Sequence, residues 1–127
     1  NGMKFLLDIQ YSDSWADPSN QTVPKKWKNL NFSVLRESVF IYTKRVISEL
    51  KFQGTTPDIV QIGNETNNGF LWNYGKIGGK FDGNSDNYFT LVSQAIRAVR
   101  SVDKKIEIML HLAGFSDANQ FFQNAVN

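Results

Sequence analysis

Residues 105–112 read KIEIMLHL, and the alternation within this stretch decides the fold. In an extended strand successive side chains point to opposite faces of the sheet. One face would carry four aliphatic side chains, those of Ile106, Ile108, Leu110 and Leu112. The other face would carry Glu107, Met109 and His111. The stretch therefore predicts a strand with one apolar face and one polar face.

Two earlier stretches, MKFLLDIQ at residues 3–10 and DIVQIG at residues 58–63, divide in the same way. Their apolar set contains Phe5, Leu7, Ile9, Val60 and Ile62. Their polar set contains Leu6, Asp8, Gln10, Gln61 and Gly63, and it continues to Glu65. These are the first and second of three predicted strands with matching faces.

Helical spacing separates the strands. A helix of about 18 residues is predicted after Ser33 as N-cap, with a stripe of Leu35, Val39, Tyr42, Val46 and Leu50. A second helix, capped by Ser85 or Asp86, carries Leu91, Ala95, Ile96, Val99 and Val102, and a third begins at Ser116 with Phe121, Phe122 and Val126. The order β-α-β-α-β-α predicts parallel strands joined by right-handed crossovers.

Two α/β architectures accommodate this order. An open doubly wound sheet is covered by helices on both faces and needs apolar side chains on both, whereas a barrel carries helices only on its outside. The polar face favours a (β/α)8 TIM barrel, of which residues 1–127 supply about three consecutive units as a partial catalytic domain truncated at both ends. Its site would lie where the strands end, at Gln10, Glu65 and His111.

Composition excludes several classes of protein. Fourteen Lys and Arg against 12 Asp and Glu give a net charge of +2, and no basic run exceeds two residues, so we expect no nucleic-acid partner. No apolar stretch approaches the roughly 20 residues that cross a bilayer, and we expect no membrane partner. The absence of Cys removes thiolate metal sites and cysteine nucleophiles.

The tripeptide Gly63-Asn64-Glu65 stands where the second strand meets its loop. A carboxyl group at a barrel mouth, beside an amide and aromatic side chains, suits glycoside hydrolysis, in which an acid protonates the glycosidic oxygen and an amide binds a sugar hydroxyl. Judged from the tripeptide alone, Glu65 could equally be a solvated loop residue without a catalytic role.

Longer motifs surround this tripeptide. They read LLDIQYSDSWADPSNQ (6–21), PKKW (24–27), YTK (42–44), PDIVQIGNETNNGFLWNYG (57–75), AVR (98–100) and HLA (111–113). Together they resemble glycoside hydrolase family 53, the arabinogalactan endo-β-1,4-galactanases. The resemblance implies a retaining (β/α)8 barrel whose third to fifth strands are these three. It also implies Glu65 as acid/base, Asn64 as transition-state support, galactan and the remainder of the barrel as partners, and a secreted or cell-surface location.

The chain departs from the family pattern in two ways. Gln10 stands where the family usually has His, which changes a titratable group into an amide that only donates and accepts hydrogen bonds. No acidic residue matches the nucleophile motif of the seventh strand, although a retaining mechanism needs two carboxylates about 5 to 5.5 Å apart. The isolated segment is therefore expected to be inactive.

Five further residues are predicted to bind substrate: Gln10, Asp13, Trp15, Trp72 and His111. For Asp13 a loop cap, and for Trp15 a role in holding its own loop, remain open. Glu107 is expected to be a buried pairing partner, and Trp27, Phe121 and Phe122 to be packing residues. A lone His without Cys makes a poor metal site, and we expect neither metal nor cofactor.

Two other functions fit the same residues. The first is a different polysaccharide hydrolase of the same clan, because Asn-Glu at this position is shared by several specificities. The second is a non-catalytic carbohydrate-binding barrel fragment, which Gln10 and the missing nucleophile favour.

Overall fold

The strands of the computed structural model, which describes residues 2–77, 85–114, 118–119 and 121–123, form one parallel sheet. Strands β1 (Leu6–Ile9), β2 (Ile59–Ile62) and β3 (Glu107–Met109) are hydrogen-bonded in the order β1-β2-β3. Helix α1 (Phe32–Phe52) joins the first pair and helix α2 (Ser85–Val102) the second. The predicted order of parallel β/α units is confirmed, and each strand is shorter than its predicted stretch.

The register of the sheet separates the two predicted faces. Leu7 pairs with Val60, which pairs with Ile108, and these three pack in or against the core formed with both helices. The next row, Asp8, Gln61 and Met109, lies on the opposite face. Helices on one face and polar side chains on the other are the arrangement of consecutive units of a (β/α)8 barrel.

Helix α1 differs from its prediction at its start and in its buried face. Asn31, not Ser33, is the N-cap, since its Oδ1 accepts the backbone N–H of Val34 at 3.0 Å. The buried residues are Leu35, Val39, Thr43 and Ile47. Tyr42 is 44% exposed, so its predicted burial is wrong, while Val46 and Leu50 of the predicted stripe are half-buried. The helix tolerates Thr43 inside because the hydroxyl of Tyr11 bonds to its Oγ1 at 2.7 Å.

Helix α2 follows its predicted stripe closely. Leu91, Ala95 and Val99 are buried, Ile96 and Val102 pack against the same core, and Tyr88, Val92 and Ala98 add to the buried face. Helix α2 begins at Ser85, so both proposed caps lie in its first turn.

Residues 118–119 and 121–123 are helical. The predicted start at Ser116 and Val126 lie outside the described residues.

Five side chains that the sequence predicts to be buried or packed have different outcomes in the structure. Phe121 is buried and Trp27 packs half-buried against the core, as predicted. Phe122 is 44% exposed, but its ring packs edge-on against that of Phe121 at 5.4 Å. Phe5, a member of the predicted apolar face, is 39% exposed, so its predicted burial is wrong. Glu107 is exposed, so its predicted burial is wrong, and none of the described elements covers the polar face from which it projects. No helix of the described residues is long and apolar enough to cross a membrane.

Candidate active site

Two backbone hydrogen bonds tie the end of β2 to both neighbouring strands. The N–H of Gly63 donates to the carbonyl of Ile9, and the N–H of Thr66 donates to the carbonyl of His111, each at 2.9 Å. The segment between them is Asn64-Glu65. The strand ends named in the sequence prediction therefore lie side by side, with the acidic residue in the middle.

The backbone turns sharply at Gly63 and Glu65. Gly63 has φ +74°, and Glu65 has φ 49° and ψ 52°, both in the left-handed region. The following residue anchors the turn, since Oγ1 of Thr66 lies 2.9 Å from the hydroxyl of Tyr88 on α2. Tyr88 is fully buried, and this burial raises the pKa of its hydroxyl to about 12.

Glu65 is half-buried, and within the described residues no hydrogen bond or ion pair reaches its carboxylate. Its backbone is held while its side chain keeps both oxygens available. A carboxyl group on a fixed backbone, with no protein partner, is able to exchange a proton with a bound molecule.

Asn64 is almost fully hydrogen-bonded within the protein. It is 8% exposed, its Nδ2 donates to the carbonyl of Ala16 at 2.8 Å, and its Oδ1 accepts from Nε2 of Gln61 at 3.2 Å. Nδ1 of His111 lies 2.8 Å from the same Oδ1. These contacts fix the amide and leave one of its two N–H groups for another acceptor.

Gln10 binds the other backbone group of Ala16. Its Oε1 accepts the backbone N–H of Ala16 at 2.8 Å, and its Nε2 lies 3.3 Å from Oδ2 of Asp8. Partial removal from water raises the pKa of the Asp8 carboxyl, against the opposing effect of the amides of Gln10 and Gln61. The fully buried residue Ala16 thus joins Gln10, through its backbone N–H, to Asn64, through its carbonyl.

Gln21 is not among the residues that the sequence predicts for the site. It is 1% exposed, and its Nε2 donates to the carbonyls of Asp17 at 3.0 Å and Asn64 at 2.8 Å, with Glu65 at 3.4 Å. The backbone carbonyl of Gln21 accepts the backbone N–H of Trp72 at 3.0 Å. One side chain therefore joins the loop after β1 to the acidic turn. A lone Gln in a polar loop carries no pattern that would have revealed this.

The remaining predicted residues lie in the two long loops. Oδ2 of Asp13 accepts the backbone N–H of Lys25 at 2.7 Å, which is the loop-cap geometry. Trp15 is 74% exposed. Trp72 is half-buried, its Nε1 donates to the carbonyl of Asn68 at 2.9 Å, and Nζ of Lys76 lies 4.4 Å from its ring centroid.

The structure thus connects Gln10, Asn64 and His111 in one network beside Glu65. It does not connect Asp13 or Trp15 to that network within the described residues. No group of three or more His, Asp or Glu side chains in this part of the chain has a geometry that would hold a metal ion.

Known proteins match the whole of this architecture. The family model of glycosyl hydrolase family 53 matches residues 1–127. An endo-beta-1,4-galactanase of Bacillus subtilis is 36% identical over 95% of this chain, and an arabinogalactan endo-beta-1,4-galactanase of Cellvibrio japonicus is 35% identical over 98%. The chain spans only 26% and 34% of these two relatives.

A solved structure gives the same result at the level of the backbone. The Ignisphaera aggregans GH53 catalytic domain superimposes with a TM-score of 0.91 at 40% identity, over 99% of this chain and 34% of that one. The chain therefore belongs to glycosyl hydrolase family 53.

Proposed function

We propose that this chain is part of an endo-acting glycoside hydrolase that cleaves β-1,4-galactan, the galactan of arabinogalactan and pectin side chains, with retention of configuration. The observation that carries the proposal is the Glu65 carboxylate, which has no described protein partner and follows the fixed amide of Asn64. Membership of family 53 and the galactanase names of its relatives support the substrate.

In the proposed reaction Glu65 first acts as an acid. Its carboxyl proton passes to the glycosidic oxygen while a second carboxylate attacks the anomeric carbon and the bond to the leaving sugar breaks. That second carboxylate would come from another part of the full protein. The Glu65 carboxylate then takes a proton from the water that hydrolyses the glycosyl-enzyme, which restores both groups.

The other residues of the network would bind and orient the sugar. The free N–H of Asn64 would donate to a hydroxyl of the reacting sugar, because its other polar atoms are held by Ala16, Gln61 and His111. Gln10 and His111 would contact neighbouring positions of the galactan, and Trp72 would contact the polysaccharide farther from the cleaved bond. Asp13 and Trp15 would act from the loop after β1. A polymer substrate of this kind supports a secreted or cell-surface location.

The decisive experiment compares the full-length protein with its Glu65→Gln variant on galactan. Gln keeps the volume of Glu but donates no proton, so kcat should fall by on the order of 10² or more. Formation of the glycosyl-enzyme from an aryl galactoside with a good leaving group should fall less, because that leaving group needs little protonation. Near-normal turnover of galactan by the variant would contradict the assignment of Glu65.

The same assay distinguishes endo-cleavage of galactan from the two other functions. Oligosaccharides of several lengths released early from galactan indicate endo-cleavage. Faster hydrolysis of another polysaccharide would identify a different hydrolase of the clan, and binding without hydrolysis would identify a carbohydrate-binding barrel.

We also propose that residues 1–127 are a partial barrel domain and are inactive by themselves. Within the described residues the outer edges of β1 and β3 pair with no strand, and the polar face of the sheet has no covering layer. The isolated chain should therefore associate or unfold without cooperativity. A monomer in sedimentation that unfolds cooperatively in calorimetry would contradict this.

A further inference from the structure

A cleft whose lining does not include the proposed catalytic residues lies between the two long loops. Its volume is about 920 Å³, and its walls include Lys25, Trp27 and Lys28 from the loop after β1, and Trp72, Asn73 and Tyr74 from the loop after β2. Asn64, Glu65 and His111 do not line it. We call it the basic cleft. Both of these walls are formed by described residues of this chain.

The basic cleft offers aromatic rings in fixed positions. Trp72 is held at its indole N–H by the carbonyl of Asn68 and at its backbone N–H by the carbonyl of Gln21. Tyr74 is 39% exposed, and its ring lies 5.5 Å from that of Phe32. Trp27 packs edge-on against Tyr42 at 5.7 Å. Rings held in this way present apolar faces to a ligand at little cost in side-chain entropy.

Its charge is entirely positive within the described residues. Lys25 and Lys28 line it, and Nζ of Lys76 lies over the Trp72 ring. The two described ion pairs, Arg45–Glu49 and Lys51–Asp103, involve none of these lysines. No Asp or Glu lines the basic cleft, and Asp13 contacts Lys25 only at the backbone N–H. Unpaired cations around a concave surface attract anionic ligands.

We propose that the basic cleft binds a glycan segment that carries carboxylates, that is, a chain containing uronic acid residues. The rings would contact the apolar faces of the sugars while the lysines pair with the carboxylates. This inference rests on the proposed function in that the substrate is a polysaccharide. The cleft would then hold an acidic part of the same polymer while a neutral galactan part occupies the site of Glu65.

The test measures the affinity of the full-length protein for three probes: oligogalacturonate, a neutral galactan oligosaccharide and polyaspartate of the same charge. The Lys25→Gln/Lys28→Gln variant should bind oligogalacturonate about five- to tenfold more weakly, because it loses two exposed ion pairs with the carboxylates. The Lys104→Gln/Lys105→Gln variant makes the same change in net charge at two exposed lysines outside the basic cleft and should bind as the wild type does.

Three results would overturn the proposal: unchanged affinity for oligogalacturonate in the cleft variant, equal weakening in the control variant, or binding of polyaspartate as tight as that of oligogalacturonate. Hydrolysis of the neutral galactan oligosaccharide is measured in parallel. It should be unchanged in both variants, and its absence in the wild type would contradict the proposed function without bearing on the cleft.

Discussion

Nδ1 of His111 lies 2.8 Å from Oδ1 of Asn64, and this contact fixes the position of a proton. An amide oxygen only accepts hydrogen bonds, and the amide is oriented because its Nδ2 faces the carbonyl of Ala16. Nδ1 of His111 therefore carries hydrogen. In the neutral ring Nε2 is then unprotonated and is able to accept a hydrogen bond from a sugar hydroxyl.

The first prediction concerns this pair in the full-length protein. His111→Leu removes one of two donors to Oδ1 of Asn64 and should lower kcat/KM on galactan about tenfold, which corresponds to about 1.4 kcal/mol. His111→Gln retains an N–H and should lose less. Equal kinetics of His111→Leu and the wild type would contradict a positioning role. The proton on Nδ1 is checked independently by the ¹⁵N chemical shifts of the His111 imidazole ring. These signals are identified because they disappear in either variant.

The second prediction concerns Gln21. Gln21→Leu leaves the carbonyls of Asp17 and Asn64 without their side-chain donor in a buried position, so the free energy of unfolding should fall by roughly 1–3 kcal/mol. Activity on galactan should fall as well, because the turn that carries Glu65 loses its tie to the neighbouring loop. Gln53→Leu makes the same substitution at an exposed position and is the control. Similar losses of stability and activity in both variants would contradict the role of Gln21 in holding the turn that carries Glu65.

The sheet could be predicted from the sequence because burial of one face imposes a two-residue period on the apolar side chains. Helices cover only one face, so every second residue of 105–112 had to be apolar, and Val60 and Ile108 pack as this alternation requires. Which face of helix α1 is buried was harder to predict from the sequence. Thr43 is buried because its hydroxyl forms a hydrogen bond with that of Tyr11. No local sequence pattern indicates a hydrogen-bond partner 32 residues away.

The site was predictable to a similar extent. Asn64 and Glu65 are proposed as site residues because a motif resembles that of a family, whereas the groups that hold Asn64 in place could not be anticipated. One of these is the carbonyl of Ala16, a group that every residue possesses, and another is the side chain of Gln21, which acts across 43 positions. Such contacts depend on how two loops meet, and residue types alone do not specify that.

The third prediction concerns Gly63. A Cβ at this position would lie 2.6 Å from Cγ2 of Thr66, and φ is +74°. Gly63→Ala should therefore cost the roughly 1–2 kcal/mol of a left-handed alanine and a steric term in addition. Gly54 has φ +83°, and a Cβ there would meet no atom within 4 Å, so Gly54→Ala should show only the first cost.

Thr66→Ser separates these two costs. It removes Cγ2 and keeps the hydroxyl that bonds to Tyr88. In urea unfolding of the full-length protein the Gly63→Ala/Thr66→Ser variant should recover the steric part of the loss and retain the backbone part. Equal losses in Gly54→Ala and Gly63→Ala would show that contact with Thr66 contributes nothing.

The last prediction concerns the hydrogen bond between Tyr11 and Thr43, both of which are buried. Burial raises the pKa of the Tyr11 hydroxyl, and Thr43 is its described partner. Tyr11→Phe leaves the Thr43 hydroxyl unsatisfied and Thr43→Val does the reverse, so each should lower the free energy of unfolding by roughly 1–3 kcal/mol. The double variant removes both polar groups together and should lose less than the sum, with a coupling of about 1 kcal/mol. Tyr42→Phe, at an exposed ring beside Tyr11, is the control and should change stability little. Losses that add without coupling would mean that the two hydroxyls act independently, and that burial of Thr43 in α1 does not depend on Tyr11.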